Sequence, residues 1–212
     1  MKRAQIIRAK IAVMSEKKKG GHPVCPPWLC FTFDNRFRRL LQNPEAILGP
    51  FVGPGDSVID IGPGMGYFTI PLARMVGPNG RVTAIDIQEE MLAGLRRRAE
   101  KNGVSEIIRT HRAVPDSLGD HPRADFILAF WMVHEVPDQR AFLTKIFDLL
   151  KTGGRFLLVE PKIHVTEKDF QRTLRTADEI GFVVKETPRV RLSRSVLLTR
   201  EEKRAGGRPA SS

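Results

Sequence analysis

The chain has few cysteines: only Cys25 and Cys30 occur among its 212 residues. Two cysteines cannot form the disulfide framework of a small secreted domain, so we expect a reducing compartment. Together with His22 they form a possible group of soft ligands, but a structural zinc site needs four. We therefore predict no metal site and interpret both cysteines as small buried residues.

The sequence also lacks a long apolar run. No stretch reaches the roughly 20 apolar residues that a membrane-spanning helix requires. The apolar segment 11–14 is too short for the hydrophobic region of a signal peptide. We therefore predict a cytoplasmic protein without a membrane span. Its length and its hydrophobic content of 41% suffice for one α/β domain with a sizeable core.

Positive charge is in excess, with a net charge of +11, but it is unevenly distributed. Residues 1–19 contain seven Lys or Arg and one Glu, and residues 200–212 contain four and two. This distribution predicts a basic flexible arm at residues 1–20 and a disordered tail at residues 200–212. The alternative is that the arm contacts a polyphosphate or an anionic membrane.

A glycine-rich segment near residue 60 dominates the remaining sequence. The apolar run 58–61 is followed by Gly62, Gly64 and Gly66, and residues 69–76 then have apolar side chains at helical spacing. This order predicts a strand, a tight turn and a helix, with positive φ angles and exposed backbone in the turn. The alternative is an ordinary turn without a ligand.

Three later segments complete the pattern. Strand 82–85 ends in Asp86, a position that binds ribose hydroxyls in nucleotide-binding βαβ units. The alternative role for Asp86 is to cap the helix that starts near Gln88. Segment 124–131 is almost wholly apolar, as expected for a central strand that is covered on both faces. Segment 149–160 contains a Gly-Gly turn that leads into a fifth strand.

In order and spacing, these four segments resemble the class I S-adenosylmethionine-dependent methyltransferases. The chain is similar to their ubiquinone-biosynthesis and arsenite-methyltransferase-like small-molecule group. The resemblance covers roughly residues 40–199 and implies a doubly wound α/β fold. We expect a seven-stranded, mostly parallel sheet with an antiparallel last strand in a three-layer α/β/α arrangement. The methyltransferase domain is predicted at residues 50–199, after a Pro-rich segment and helical lid at residues 21–49.

The resemblance implies a binding site for S-adenosylmethionine (SAM). Asp60 and the glycines are expected to hold its methionine end, and Asp86 its ribose. The family often has an acid after the third strand, but no acid stands there unless Asp116 serves, so backbone groups of Ala113 or Val114 are expected to meet the adenine. The predicted SAM-binding residues are Asp60, Gly62, Gly64, Gly66, Tyr67, Phe68, Asp86, Ile87, Ala113, Val114, Phe130 and Trp131.

His134 and Glu135 are the predicted catalytic residues, because ligands of open α/β sheets bind beyond the carboxyl ends of the strands. Histidine readily accepts a proton near neutral pH. The alternative is that His134 only forms hydrogen bonds within its loop. Glu160 and Lys162, at the end of the fifth strand, either line the pocket or form a surface ion pair.

Three functions are compatible with these residues. The first, which we predict, is methyl transfer from SAM to a small molecule, because no large substrate domain is added to the core; the other two are alternatives. The second is methylation of RNA or protein with help from the basic arm. Residues 130–133 lack the Asn-Pro-Pro-Tyr-type motif of amine-methylating members. The third is a SAM-binding scaffold without catalysis. The acceptor and the oligomeric state are not predicted.

Overall fold

The structure is a computed structural model that describes residues 42–114 and 117–201. The predicted basic arm, most of the Pro-rich segment and lid, and the C-terminal tail therefore lie outside the described residues. His22, both cysteines and Asp116 lie outside them as well. Within the described residues, no helix has the length and apolar character needed to cross a membrane.

Strands and helices alternate along most of the chain. The strands are β1 (Ser57–Ile61), β2 (Arg81–Asp86), β3 (Ile108–Arg112), β4 (Ala124–Phe130), β5 (Leu150–Pro161), β6 (Phe182–Glu186) and β7 (Ser193–Arg200). The helices are α1 (Pro44–Leu48), α2 (Thr69–Val76), α3 (Glu89–Lys101), α4 (Gln139–Leu149) and α5 (Glu167–Ile180). A short 3₁₀ turn at Val133–Glu135 follows β4.

The strands form one seven-stranded sheet in the order β3-β2-β1-β4-β5-β7-β6. Strands β1 to β5 are parallel, whereas β7 runs antiparallel to both β5 and β6. The predicted fold class is therefore confirmed. The chain order reverses between β1 and β4, and the carboxyl ends of these strands form the crevice where open α/β sheets bind their ligands.

The sheet separates two apolar layers. One layer packs α1, α2 and α3 against the sheet, and the other packs α4 and α5 against its opposite face. In β4, Phe126 and Leu128 belong to the first layer, and Ile127 and Ala129 belong to the second. All four are completely buried, which explains why the sequence of β4 is apolar at nearly every position. The first layer includes Leu48, so the core begins before residue 50.

Local signals fix most helix ends as expected. Asn43 caps α1 through its side chain, and Pro44 occupies the first helical turn. The predicted capping pair is present, because the Thr166 hydroxyl accepts from the backbone N–H of Asp169 at 3.2 Å. Gly181 ends α5 in a left-handed conformation with φ of 115°.

Helix α2 begins at Thr69, where the helical spacing of apolar residues begins, because the N–H of Gly66 donates to the Pro63 carbonyl in a tight turn. Two predicted boundaries are wrong. Strand β5 already begins at Leu150. Its Gly-Gly pair does not precede the strand but lies inside it, where the register with β4 shifts after Ala124. Strand β4 ends one residue earlier than predicted, because Trp131 has a left-handed φ of 62°.

Candidate active site

The three glycines after β1 have different structural roles. Their φ values are 68° for Gly62, 54° for Gly64 and 87° for Gly66, which side chains with a Cβ rarely adopt. A Cβ on Gly66 would lie 2.2 Å from Cδ1 of Leu95, so this glycine is required for the packing of α3. A Cβ on Gly64 would meet no atom within 4 Å. The backbone at Gly64 therefore presents an open face.

Asp60 lies beneath this turn and is only 2% exposed. Its Oδ2 accepts a hydrogen bond of 2.7 Å from the hydroxyl of Thr69, at the start of α2. Burial raises the pKa of Asp60 to about 7, against the opposing effect of the Thr69 hydrogen bond, and the nearby charge of Asp86 raises it further. A cation that reached this carboxyl group would favour its ionised form.

Asp86 links the glycine turn to the start of α3. Its Oδ1 accepts a hydrogen bond of 2.9 Å from the backbone N–H of Gln88. Burial raises the pKa of Asp86, and hydrogen bonds from the backbone N–H groups of Gln88, Gly64 and Ile87 act in the opposite direction. Asp86 is not the N-cap residue of α3, because Gln88 occupies that position, although the Asp86 side chain accepts a hydrogen bond from the N–H of Gln88.

Two apolar side chains stand exposed beyond β2 and β3. Ile87 is 45% exposed and Val114 is 61% exposed, whereas Ala113 is buried. The N–H of Ala113 donates to the Asp86 carbonyl at 2.9 Å, so it is not available to a ligand. The apolar faces of Ile87 and Val114 are suited to contact a flat ring rather than to donate hydrogen bonds to it.

Aromatic rings line the side of the crevice towards β4. Tyr67 packs edge-on against Phe68, and the ring of Phe68 lies 4.3 Å from that of Phe130. Both Phe rings are buried, so they support the crevice rather than present free faces. Trp131, which has a left-handed φ, donates a hydrogen bond of 2.9 Å from its Nε1 to the Ser193 hydroxyl.

The loop after β4 brings His134 onto a carboxylate from β5. Nδ1 of His134 lies 2.6 Å from Oε2 of Glu160, and the backbone N–H of His134 donates to Oε1 at 2.9 Å. The hydrogen bond with Glu160 raises the pKa of His134, and the charge of Glu135 adds to this effect. Glu160 is only 3% exposed and Lys162 is exposed, so the alternative of a surface ion pair between them is wrong.

These groups share one edge of the sheet. A Cβ on Gly62 would lie 3.1 Å from Cγ of Met132, so the loop that carries His134 touches the glycine turn. Among residues 42–114 and 117–201, no three His, Cys, Asp or Glu side chains are arranged to hold a metal ion. The sequence did not single out Met132. Only the position of Glu160 at the end of an apolar strand indicated that it belongs to this edge.

The fold and this edge are those of a Rossmann-like nucleotide-binding domain. A family model described as "Methyltransferase domain" matches residues 53–189. The chain belongs to this methyltransferase-domain family.

Relatives and solved structures agree with the family. The ubiquinone biosynthesis O-methyltransferase of Paramagnetospirillum magneticum is 35% identical over 141 residues, which make up 66% of this chain and 53% of that protein. The ubiquinone/menaquinone biosynthesis C-methyltransferase UbiE of Vibrio campbellii is 30% identical over 155 residues, 73% of this chain and 54% of that protein. The chain thus spans about half the length of these relatives. A SAM-dependent methyltransferase from Aquifex aeolicus has the same fold, with a TM-score of 0.73 at 23% identity over 82% of this chain and 98% of that one.

Proposed function

We propose that this protein transfers a methyl group from SAM to a small-molecule acceptor. The observation that carries the proposal is the open backbone at Gly64, in the turn that follows β1 at the switch point of the sheet, with a hydrogen bond from Gly64 to the Asp86 carboxylate at the end of β2. When bound, SAM supplies an electrophilic methyl group on a positively charged sulfur. The protein needs only to align the acceptor with that group, and alignment alone can contribute about 7–11 kcal/mol in the best cases.

The residues at this edge fit the parts of SAM. Asp60 provides a buried carboxyl group for the ammonium group, directly or through water, and the turn at Gly64 provides room for the methionine end. Asp86 accepts hydrogen bonds from the ribose hydroxyls with its remaining lone pairs. Ile87 and Val114 pack against the adenine with their exposed apolar faces. The other predicted SAM-binding residues are assigned to the walls of this site.

For the acceptor we propose a quinone-type or phenolic ring. The two curated relatives are named for methylation in ubiquinone and menaquinone biosynthesis, one as an O-methyltransferase and the other as a C-methyltransferase. We assign the reaction to the cytoplasm and assign proton transfer to His134, with Glu135 contributing negative charge beside it. Nucleic acid as the acceptor is not favoured, because the sequence shows no aromatic–basic binding surface.

Calorimetry with SAM and with S-adenosylhomocysteine tests the binding site. Asp86→Asn should weaken both affinities about tenfold to a hundredfold, because a hydrogen bond to a charged group contributes about 1.5–3 kcal/mol. Asp178→Asn is the matched control, because Asp178 is exposed on α5. If neither nucleoside produces heat at millimolar concentration, the proposed function is wrong.

Turnover is tested with methyl-labelled SAM and a panel of phenols, hydroquinones, thiols, arsenite and RNA. Labelled phenol or hydroquinone products support the proposal. Labelling of RNA that is lost on deletion of residues 1–19 would instead favour the nucleic-acid alternative. Binding of SAM without any labelled product would favour a non-catalytic scaffold.

A further inference from the structure

A polar cleft of about 240 Å³ opens beside the loop that follows β4. Side chains from that loop, from the end of β5 and the segment after it, and from α4 and α5 line it, among them His134, Gln139, Glu160, His164 and Thr173. An engineered cavity of about 150 Å³ is large enough to hold benzene. The cleft therefore has room for one aromatic ring with small substituents.

The cleft opens at the same edge of the sheet as the proposed SAM site. Strands β1, β4 and β5 are adjacent, and neighbouring strands are about 4.8 Å apart, so the ends of β1 and β5 are separated by roughly 10 Å across the sheet. The contact between Gly62 and Met132 joins the glycine turn to the loop of His134. The strand that carries Glu160 is thus two positions from the strand that ends at the glycine turn, with β4 and the His134 loop between them.

Glu160 fixes the orientation of His134 in this cleft. One carboxylate oxygen accepts from the backbone N–H of His134, and the other lies 2.6 Å from Nδ1. The Glu160 side chain is 4% exposed, whereas the His134 side chain is 23% exposed. Because Nδ1 faces the buried carboxylate, Nε2 is the ring nitrogen left for a ligand. A carboxylate that holds one imidazole nitrogen while the other accepts a proton is the arrangement of a general base.

We propose that this cleft binds a methyl acceptor with a phenol-type hydroxyl, that His134 takes the hydroxyl proton, and that Glu160 is the positioning residue for His134. This inference rests on the proposed methyl transfer and names the acceptor chemistry of the same site. The acceptor oxygen forms the bond to the methyl carbon, the carbon–sulfur bond breaks, and its electron pair stays on sulfur. The hydroxyl proton moves to Nε2 of His134, whose positive charge is then balanced by Glu160.

The ionisation of the acceptor determines how strongly methyl transfer depends on a base. A phenolic hydroxyl has a pKa near 10, so few molecules are ionised at neutral pH without a base. A thiol with a pKa of about 8.5 ionises more readily, so it depends less strongly on a base. The titratable and charged side chains that line the cleft or act on His134 are Glu135, Glu160, His164, Asp169 and Arg172.

Glu160→Gln tests whether Glu160 acts on His134 or only supports the fold, because glutamine keeps the shape of the side chain but lacks its charge. Histidine NMR of the protein without ligands should show a lower pKa for His134 in the variant. With a phenolic acceptor that the labelling panel identifies, kcat should fall about tenfold to a hundredfold and the acidic limb of its pH profile should move to lower pH. The affinity for SAM should not change. Glu179→Gln, an exposed change on α5, should leave all four readouts unchanged.

His134→Gln tests the base directly and should lower kcat about 10²–10⁴-fold with phenolic acceptors, but much less with thiols. An unchanged His134 pKa in Glu160→Gln, or full turnover in His134→Gln, overturns the inference and leaves methyl transfer standing. If no acceptor is methylated, the proposed function fails, but the NMR titration still decides whether Glu160 controls His134. Should Glu160→Gln not fold, Glu160→Asp retains the charge, and its shorter side chain should lengthen the contact with Nδ1 and lower the His134 pKa.

Discussion

Replacing Asp60 with asparagine should stabilise the protein at alkaline pH and weaken its binding of SAM. Asparagine has the same shape, and its side-chain oxygen still accepts the hydrogen bond from Thr69. It cannot ionise, however, so the variant avoids the cost of placing a negative charge in a site that is 2% exposed.

The pKa of Asp60 sets the size of this effect. The folded value of about 7 exceeds the ordinary value of 3.8, so between these two pH values the folded protein holds a proton that the unfolded chain has lost. The wild-type free energy of unfolding therefore falls as the pH rises from about 4 to about 7 and then levels off. At 1.36 kcal/mol per pH unit, the full loss is about 4 kcal/mol, and about 3 kcal/mol of it falls between pH 5 and pH 8.

Urea unfolding at pH 5, 6, 7 and 8 measures this difference. The stability of Asp60→Asn relative to the wild type should rise by about 3 kcal/mol from pH 5 to pH 8. Asp148→Asn, an exposed change on α4, should run parallel to the wild type. If the curve for Asp60→Asn is also parallel to the wild type, the carboxyl group does not hold its proton in the folded state and the reasoning is refuted.

The same linkage predicts how SAM affinity depends on pH. An ammonium group near Asp60 favours the ionised carboxylate, so wild-type affinity should rise by up to tenfold per pH unit below about 7 and then level off. Asp60→Asn should bind more weakly and should lack this dependence. Calorimetry at matched ionic strength measures both. A wild-type affinity that is flat between pH 5.5 and 7.5 would mean that Asp60 does not meet the ligand.

Four further substitutions test the site and the core. Gly66→Ala should lower the free energy of unfolding by about 2–5 kcal/mol in urea, because left-handed strain adds to the clash with Leu95. Gly64→Ala should lower it by only about 1–2 kcal/mol but should reduce SAM affinity at least about tenfold. Equal stability losses would contradict the different roles of these glycines. Ile87→Ser should weaken SAM binding severalfold while stability stays within about 0.5 kcal/mol, since the side chain is 45% exposed, and unchanged binding would remove it from the adenine site. Phe126→Ala should cost about 3–5 kcal/mol by thermal or urea unfolding, and a loss below 1 kcal/mol would contradict its full burial.

Features that depend on local chemistry could be predicted from the sequence. The apolar run in β4 indicated a strand that is buried on both faces, because no polar face would be needed there. The absence of a helical segment between β6 and β7 indicated an antiparallel pair, because a parallel connection needs a long crossover. Thr166 and Gly181 marked the ends of α5 for the reasons that govern helix caps in general.

Features that depend on contacts between distant segments of the chain could not be predicted from the sequence. The early start of β5 depends on a register shift against β4, so the glycines of its Gly-Gly pair were mistaken for a turn. The sequence left open whether Glu160 lines the pocket or lies on the surface, because glutamate is rarely buried and its partner His134 lies 26 residues away in the chain. Only its place after four buried apolar residues distinguished it from a surface glutamate.

Several features that lower the stability of the folded protein lie at the same edge of the sheet. In the described part of the chain, Trp131 and Leu192 are the two residues other than glycine with positive φ, and each follows or precedes a strand at this edge. Two buried carboxyl groups, Asp60 and Glu160, lie there as well. Stability alone would favour apolar side chains and relaxed backbone at these positions. The two apolar layers that pack on the sheet offset this cost, and its concentration at one edge supports placing the proposed site there, on grounds other than the glycine motif.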